Sequence, residues 1–339
     1  MNTLPARTDV AIIGGGYAGL ATARALGRRG IAAVVLEREA ELGRYASGRG
    51  AGLGRQLAED DATTRLTIRG AALLRTELAA AWSPTGGILT FDDRAHAETY
   101  LARAHRHDVP VTAIDGDEAR ARWPLLASLP VAAALAIPSD GVIDARRLLD
   151  LFARDAHVVL GTPVVAVEPG GAGARVVTPR GAIEARLVVD AGGAWAGALT
   201  GDPPLDAKKR HLFVLEAAVA SGAPYLWHLG RTEIYVRTFA GGVLASTCDE
   251  TSEPACDPVP DAACEVRLRE RFGAVAPALG AAPVARVWAC QRSFTPDRQM
   301  RLGRDPRRPW LVWAAGLGGH GATASAAVGE VVADAIASA

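Results

Sequence analysis

Apolar positions along this chain fall into two alternating rhythms. Thr8 to Ile13 is a short apolar, β-branched run closed by glycine, which predicts a buried strand. From Gly14-Gly15-Gly16-Tyr17-Ala18-Gly19 to about Arg29 the spacing becomes helical, and Ala32 to Leu36 is a second strand ending on Glu37. The chain closes the same way: Trp310 to Ala315 reads as a strand, Gly316 to Gly321 as a loop and Ala322 to Ala337 as a helix. In between, Val164 to Val167 and Leu187 to Asp190 read as strands, the second breaking into Ala191-Gly192-Gly193-Ala194-Trp195. Asp249 to Asp261 is acidic and proline-bearing; it is expected to be an exposed connection before a helix near Ala262, with a lid as the lesser alternative.

The first strand, the glycines, the helix and the terminal acid together form a dinucleotide-binding fingerprint in its required context. Gly14 permits the tight turn, Gly16 lets backbone approach a pyrophosphate, and Gly19 lets helix and strand pack closely. The helix N-terminus brings unpaired N–H groups and partial positive charge to the phosphates. Glu37 stands where a carboxylate accepts the hydroxyls of an adenosine ribose, and Arg38 follows it. This unit alone does not separate FAD from NAD. The small-residue stretch Glu41 to Gly52, with Ser47, Gly48, Arg49, Gly50, Ala51 and Gly52, favours a longer cofactor by leaving backbone donors free. Ala191, Gly192, Gly193 and Trp195 would bring another backbone segment to the nucleotide, and Val164 would return to the same sheet beside the adenine. If a flavin ring lies at the loop and helix start formed by Gly318, Gly319, His320, Gly321, Ala322 and Thr323, the free N–H groups and helix dipole there favour negative charge on it.

Composition narrows the partners. Thirty-seven basic residues balance thirty-seven acidic ones, so no overall positive field draws in nucleic acid or an anionic membrane, and a small molecule is the expected partner. No apolar run reaches membrane-spanning length and MNTLPART has no apolar leader core, so a cytoplasmic protein without an integral membrane segment is expected. Cys248, Cys256, Cys264 and Cys290 are too few for a disulfide framework, and their spacing lacks the close ligand pairs of a structural zinc site, so no metal is expected.

GGGYAG, LEREAELG followed by SGRGAG, SDGVIDARRLLDLF, VVDAGGAW, ACQRSFTPD and GLGGHGATASAAVGE together resemble the D-amino acid oxidase and glycine oxidase family of flavoproteins, nearest its D-arginine dehydrogenase branch. The resemblance runs almost end to end. It implies FAD and an α/β fold, α+β overall: a Rossmann-like FAD-binding domain from residues 1–78, 140–204 and 299–339, and an antiparallel-sheet substrate domain from 79–139 and 205–298. It implies oxidation of an amino acid's C–N bond to an imine, with oxygen or a quinone as electron acceptor. Arg292 falls where the family keeps an arginine for the substrate carboxylate, a task suited to the guanidinium fork. Tyr235 matches a tyrosine that assists it, and Arg210 falls at an arginine of the same branch. Tyr45 takes the place of an active-site histidine and His320 that of a tyrosine. Gly87 stands where a glutamate receives a cationic side chain, which speaks against a cationic substrate. Cys290 lies where sarcosine oxidases bond the flavin covalently, although its neighbours Gln291-Arg292-Ser293-Phe294 resemble noncovalent relatives. Three alternatives stay open: oxidation of an N-methyl or cyclic amine or a pathway intermediate, an NAD(P)H-dependent reductase or monooxygenase, and a noncatalytic flavin-binding subunit.

Overall fold

Strand β1 (Arg7–Ile13) runs through the middle of an eight-stranded sheet, between Gly181–Asp190 and β2 (Ala33–Leu36), and is parallel to both. Both faces of such a strand are covered, which is why its continuous apolar run leaves Val10, Ala11 and Ile12 fully buried. Leu311–Ala315 lies parallel on the other side of Gly181–Asp190. The registers Ile13 to Asp190 and Asp190 to Trp313 align the carboxyl ends of three strands. The glycine turns after them emerge along one sheet edge, where open α/β sheets bind ligands. The structure is a computed structural model describing residues 3–171, 173–202 and 205–338. Residues 1–2, 172, 203–204 and 339, which fall within the expected FAD-binding lobe, lie outside the described residues.

Helix α1 (Tyr17–Gly27) stops short of the expected Arg29, because the chain turns through Gly30 at φ +69°. Leu20 and Leu26 of α1 join one apolar core with Val328, Val332 and Ile336 of the C-terminal helix, Gly321–Ala337. The expected strand at Val164 to Val167 is corrected: it runs Ala166–Gly170, because the chain before it is held at the end of β2 and reaches its partner strand only where Val165 N–H donates to the Val177 carbonyl at 2.9 Å. It pairs antiparallel with Gly173–Thr178 at the sheet's far edge, not beside the nucleotide. Val164 itself still lies near the end of β2, because Gly161 and Thr162 donate backbone hydrogen bonds to the Glu39 and Glu37 carbonyls, each at 2.8 Å.

The second sheet has nine strands drawn from residues 87–137 and 206–294. Its longest pairing is antiparallel, Asp206–Leu215 with Val284–Phe294, and places Lys208 opposite Arg292 and Arg210 opposite Cys290. The sheet is mixed, however: Tyr225–His228 runs parallel to Gly87–Phe91. The expected exposed connection from Asp249 is also corrected at its start. Asp249 is buried and accepts hydrogen bonds from His211 Nδ1 at 2.7 Å, the His211 N–H at 3.1 Å and Thr247 Oγ1 at 2.8 Å. Thr251–Ser252 then pairs with Lys208 and Lys209. Among the described residues no helix is long and apolar enough to cross a membrane.

The tightest backbone approach in α1 gives a direct test. A Cβ at Gly19 would sit 2.0 Å from the Gly14 carbonyl oxygen, whereas one at Gly27 meets nothing within 4 Å. Gly19→Ala should lose at least about 1–3 kcal/mol in urea unfolding, while Gly27→Ala should gain roughly 0.5 kcal/mol.

Candidate active site

Two adjoining cavities open along the edge where the three strands end, sharing Gly16, Ala46, Ser47, Ala191, Gly193 and Ser293. The first expected nucleotide elements meet in the outer cavity. Gly14 adopts φ +108°, and a Cβ there would lie 2.5 Å from the Ala191 oxygen, so the turn and the second glycine segment touch through backbone. Gly16 caps α1 without any side-chain cap, leaving the helix N-terminus to a ligand, and Tyr17 N–H is taken by Ser47 Oγ at 2.9 Å. Glu37, Arg38, Val164, Gly192 and Trp195 line the same space. The Glu37 carboxylate accepts the Gly15 N–H at 2.6 Å and the Glu39 N–H at 2.9 Å; burial pushes its pKa up, against those two bonds. Each oxygen keeps a second acceptor site.

Three expected contacts lie elsewhere. Gly19 faces Gly14 and lines neither cavity. Gly48 and Arg49 turn the opposite way, into a separate hollow with Asp257, Pro258 and Trp288, where Arg49 pairs with Asp257 at 2.6 Å. The short helix Ala46–Arg49 causes this, since successive helical residues point in different directions and only Ala46 and Ser47 reach the cleft. Tyr45 is also displaced from its expected catalytic place. It precedes that helix and lies at the outer cavity, 4.7 Å from the Trp195 ring, with the Arg38 guanidinium over it and its hydroxyl donating to Glu39.

The inner cavity gathers the other expected groups. Tyr17, Ala18, Gly50, Ala51 and Gly52 line it, as do Gly318, Gly319, His320, Gly321, Ala322 and Thr323 around the start of the C-terminal helix. Strand Val284–Phe294 brings Cys290, Arg292 and Ser293 to it, and Gly318 N–H fixes the closing loop to the Ser293 carbonyl at 3.0 Å. Arg210 and Tyr235 complete this side, with the guanidinium 5.7 Å from the ring centroid. Arg292 Nη2 donates to Glu250 at 2.9 Å, while its buried Nε has no partner and Nη1 lies 3.5 Å from where a Cβ on Gly319 would sit. Burial and the nearby Arg210 lower the Arg292 pKa, with Glu250 opposing them. Burial pushes Tyr235 up to about 12, so its hydroxyl stays protonated. His320 Nε2 donates to Glu59 at 2.7 Å.

Sequence reasoning missed Arg55 and Trp227. Both line the inner cavity, with the Arg55 guanidinium 4.2 Å from the Trp227 ring centroid. Arg55 lies just beyond the glycine-rich stretch and Trp227 within an apolar strand, and neither position carries a motif. Gly87 is corrected in turn. It does not line the cavity, because the Tyr225 ring fills the space where a Cβ would project, 2.4 Å from Tyr225 Cζ. Away from the cleft, His211, Asp261 and Cys264 each bring one potential metal-ligand atom within 4.8 Å of the others. Both His211 nitrogens are already engaged, however, with Asp249 and with the Asp261 N–H at 3.2 Å.

A nucleotide cradle is thus joined to a cavity edged by arginines. The chain belongs to the DAO family of FAD dependent oxidoreductases, whose sequence model matches residues 9–335. The glycine cradle, the open α1 terminus and the paired cavities fit its cofactor, FAD. Glycine oxidase of Bacillus licheniformis is 26% identical over 97% of this chain and 93% of its own. L-proline dehydrogenase from P. horikoshii has a TM-score of 0.88 at 27% identity, covering 98% of this chain and 93% of that one. Glycine oxidase from Geobacillus kaustophilus has a TM-score of 0.84 at 26% identity, over 98% and 95%. Human mitochondrial sarcosine dehydrogenase is 29% identical over 58% of this chain, and the match spans only 24% of that protein's length. Against 4-methylaminobutanoate oxidase of Paenarthrobacter nicotinovorans the match spans 29% of its length.

Beneath Arg55, Asp140 is fully buried and accepts from the Gln56 N–H at 3.1 Å, Gln56 Nε2 at 2.9 Å and the Tyr225 hydroxyl. Burial pushes its carboxyl up to about 6 from 3.8, against those hydrogen bonds. The folded chain therefore holds this proton more tightly than the unfolded chain. Its stabilising contribution is full below about 3.8 and is lost as pH rises through about 6. Relative to Asp140→Asn, the wild type should lose about 1–1.5 kcal/mol between pH 5 and pH 7, measured by urea titration at both.

Proposed function

We propose that this enzyme oxidises the C–N bond of a small amino or imino acid whose carboxylate is held by Arg292, with help from Arg210 and Tyr235. The carrying observation is the buried, unpartnered Nε of Arg292 in the same cavity as Gly16, Ala18 and the start of the C-terminal helix. A buried donor without a partner costs free energy that a carboxylate recovers. The relatives support the class, since glycine oxidase, L-proline dehydrogenase and sarcosine dehydrogenase are named for primary, cyclic and N-methyl amino acids.

In this reading Gly14, Gly16 and Ser47 hold the diphosphate of FAD, Glu37, Arg38, Val164 and Trp195 its adenosine end, and Gly318 to Thr323 its ring end. When bound, FAD supplies the hydride acceptor. Arg292 and Arg210 fix the carboxylate and thereby orient the α-carbon, a positional contribution that removes much of the entropic barrier. The substrate loses a hydride from carbon and a proton from nitrogen, forming a C=N bond that water hydrolyses. Among the described residues no Asp or Glu lines the inner cavity, and its guanidiniums favour the neutral amine by like-charge repulsion. Cys290 is buried, and burial pushes its thiol up, which disfavours the thiolate that a covalent flavin link requires. We therefore read the flavin as noncovalent, and acid precipitation should leave all the yellow colour in solution.

Anaerobic addition of glycine, sarcosine, proline and both enantiomers of common amino acids to the flavin-loaded protein tests the reaction. Bleaching by one of these classes is expected, and Arg292→Met should raise KM at least ~30-fold, as for loss of a charge-assisted hydrogen bond of roughly 2–3 kcal/mol. Bleaching by NADPH and by none of the amines would overturn the reading in favour of a reductase.

A further inference from the structure

We infer that the substrate carries a second acidic group and that Arg55 receives it. The inference rests on the reading that Arg292 holds the first carboxylate. Arg55 is 3% exposed and lines the cavity that Arg292 lines. Its Nη2 is taken by Glu59 at 2.6 Å, but Nη1 is buried with no partner. Burying a charged donor without an acceptor is costly, and buried donors nearly always find one. Among the described residues the cavity offers no anionic acceptor: its lining contains three guanidiniums, Arg55, Arg210 and Arg292, and no carboxylate.

The two glutamates that partly neutralise these arginines, Glu59 and Glu250, are not part of the lining. A monocarboxylate bound at Arg292 would leave Arg55 Nη1 unsatisfied. The surroundings hold the guanidinium in place. The guanidinium stacks 4.2 Å from the Trp227 centroid, Trp227 packs on Tyr235 at 5.1 Å, and Arg210 follows at 5.7 Å from the Tyr235 centroid. Two cations therefore sit at the ends of an aromatic pair, an arrangement suited to a short carbon chain with an acid group at each end. Trp227 adds no competing polar contact, since its Nε1–H donates to Glu233 at 2.8 Å. The substrate class is thus a short amino dicarboxylate, or an amine bearing a carboxymethyl arm.

Titration of the oxidised, flavin-loaded protein with acids that lack an amine tests this without turnover, using the flavin difference spectrum. Malonate, succinate and glutarate stand against acetate and propionate, and the best diacid should bind at least ~10-fold more tightly than either monoacid. Arg55→Met should abolish that advantage while leaving monoacid affinity within about twofold, and Arg55→Lys should restore part of it. The wild-type comparison needs no variant, so it remains decisive even if Arg55→Met misfolds. Equal binding of both acid classes overturns the inference. So does an Arg55→Met variant that loses both classes alike, which would make Arg55 the holder of the sole carboxylate. Diacid binding that depends on Arg55, with no amine bleaching the flavin, supports the subsite and sinks the proposed oxidation; amines that bleach it with no preference for diacids do the reverse.

Discussion

The cleft depends on a backbone contact that leaves no room for a side chain: Gly14 against the carbonyl of Ala191. This contact is a consequence of register. Because Ile13 and Asp190 are paired across parallel strands, the chain leaves both at the same level and both turns fall on one edge. Asp190 in turn aligns with Trp313, so the loop opening the last helix starts from that level too. Segments more than a hundred residues apart are thus brought together by the ladder of one sheet. The second sheet is tied to them by a backbone bond, the Ser293 carbonyl accepting the Gly318 N–H.

Electrostatics then sort the cleft by depth. The outer cavity is lined by both carboxylates and cations, with Glu37 accepting backbone N–H groups and Arg38 lying 3.8 Å from the Trp195 ring centroid. The inner cavity keeps its carboxylates out of the lining and its guanidiniums within it. Such a separation makes the inner space attractive to anions while the buried arginines remain partly compensated. The partial compensation matters, because three fully unpaired buried cations would outweigh the stability of most domains.

The fold was legible where local pattern and backbone requirement coincide. β1, the glycine turn and Glu37 announce themselves because a tight turn, a close approach and a terminal acid each demand particular residues at fixed spacing. The C-terminal strand, loop and helix were legible for the same reason. Side-chain direction was not. Tyr45, Gly48 and Arg49 sit in a motif-bearing stretch, yet a four-residue helix turns them toward Trp195 or away from the cleft, and nothing in their order fixes its rotation. Arg55 and Trp227 were missed because a lone arginine in an arginine-rich chain and a tryptophan in an apolar strand carry no periodic signal; only the tertiary stack of the two distinguishes them. The buried start of the Asp249 segment was hidden for a related reason, since its acid is hydrogen-bonded by His211, thirty-eight residues away in sequence.

Gly87 carries a consequence for how such a pocket can change. The Tyr225 ring occupies the space beside it, and the Tyr225 hydroxyl is bonded to Asp140, which holds the Gln56 backbone next to Arg55. A larger residue at 87 must expel that ring, and expulsion leaves Asp140 short of a donor beneath the segment that carries Arg55. Positions 87, 225 and 140 therefore form a linked trio. Paths in sequence space between this pocket and one with an acid at 87 run through concerted replacements, with single steps penalised along the way.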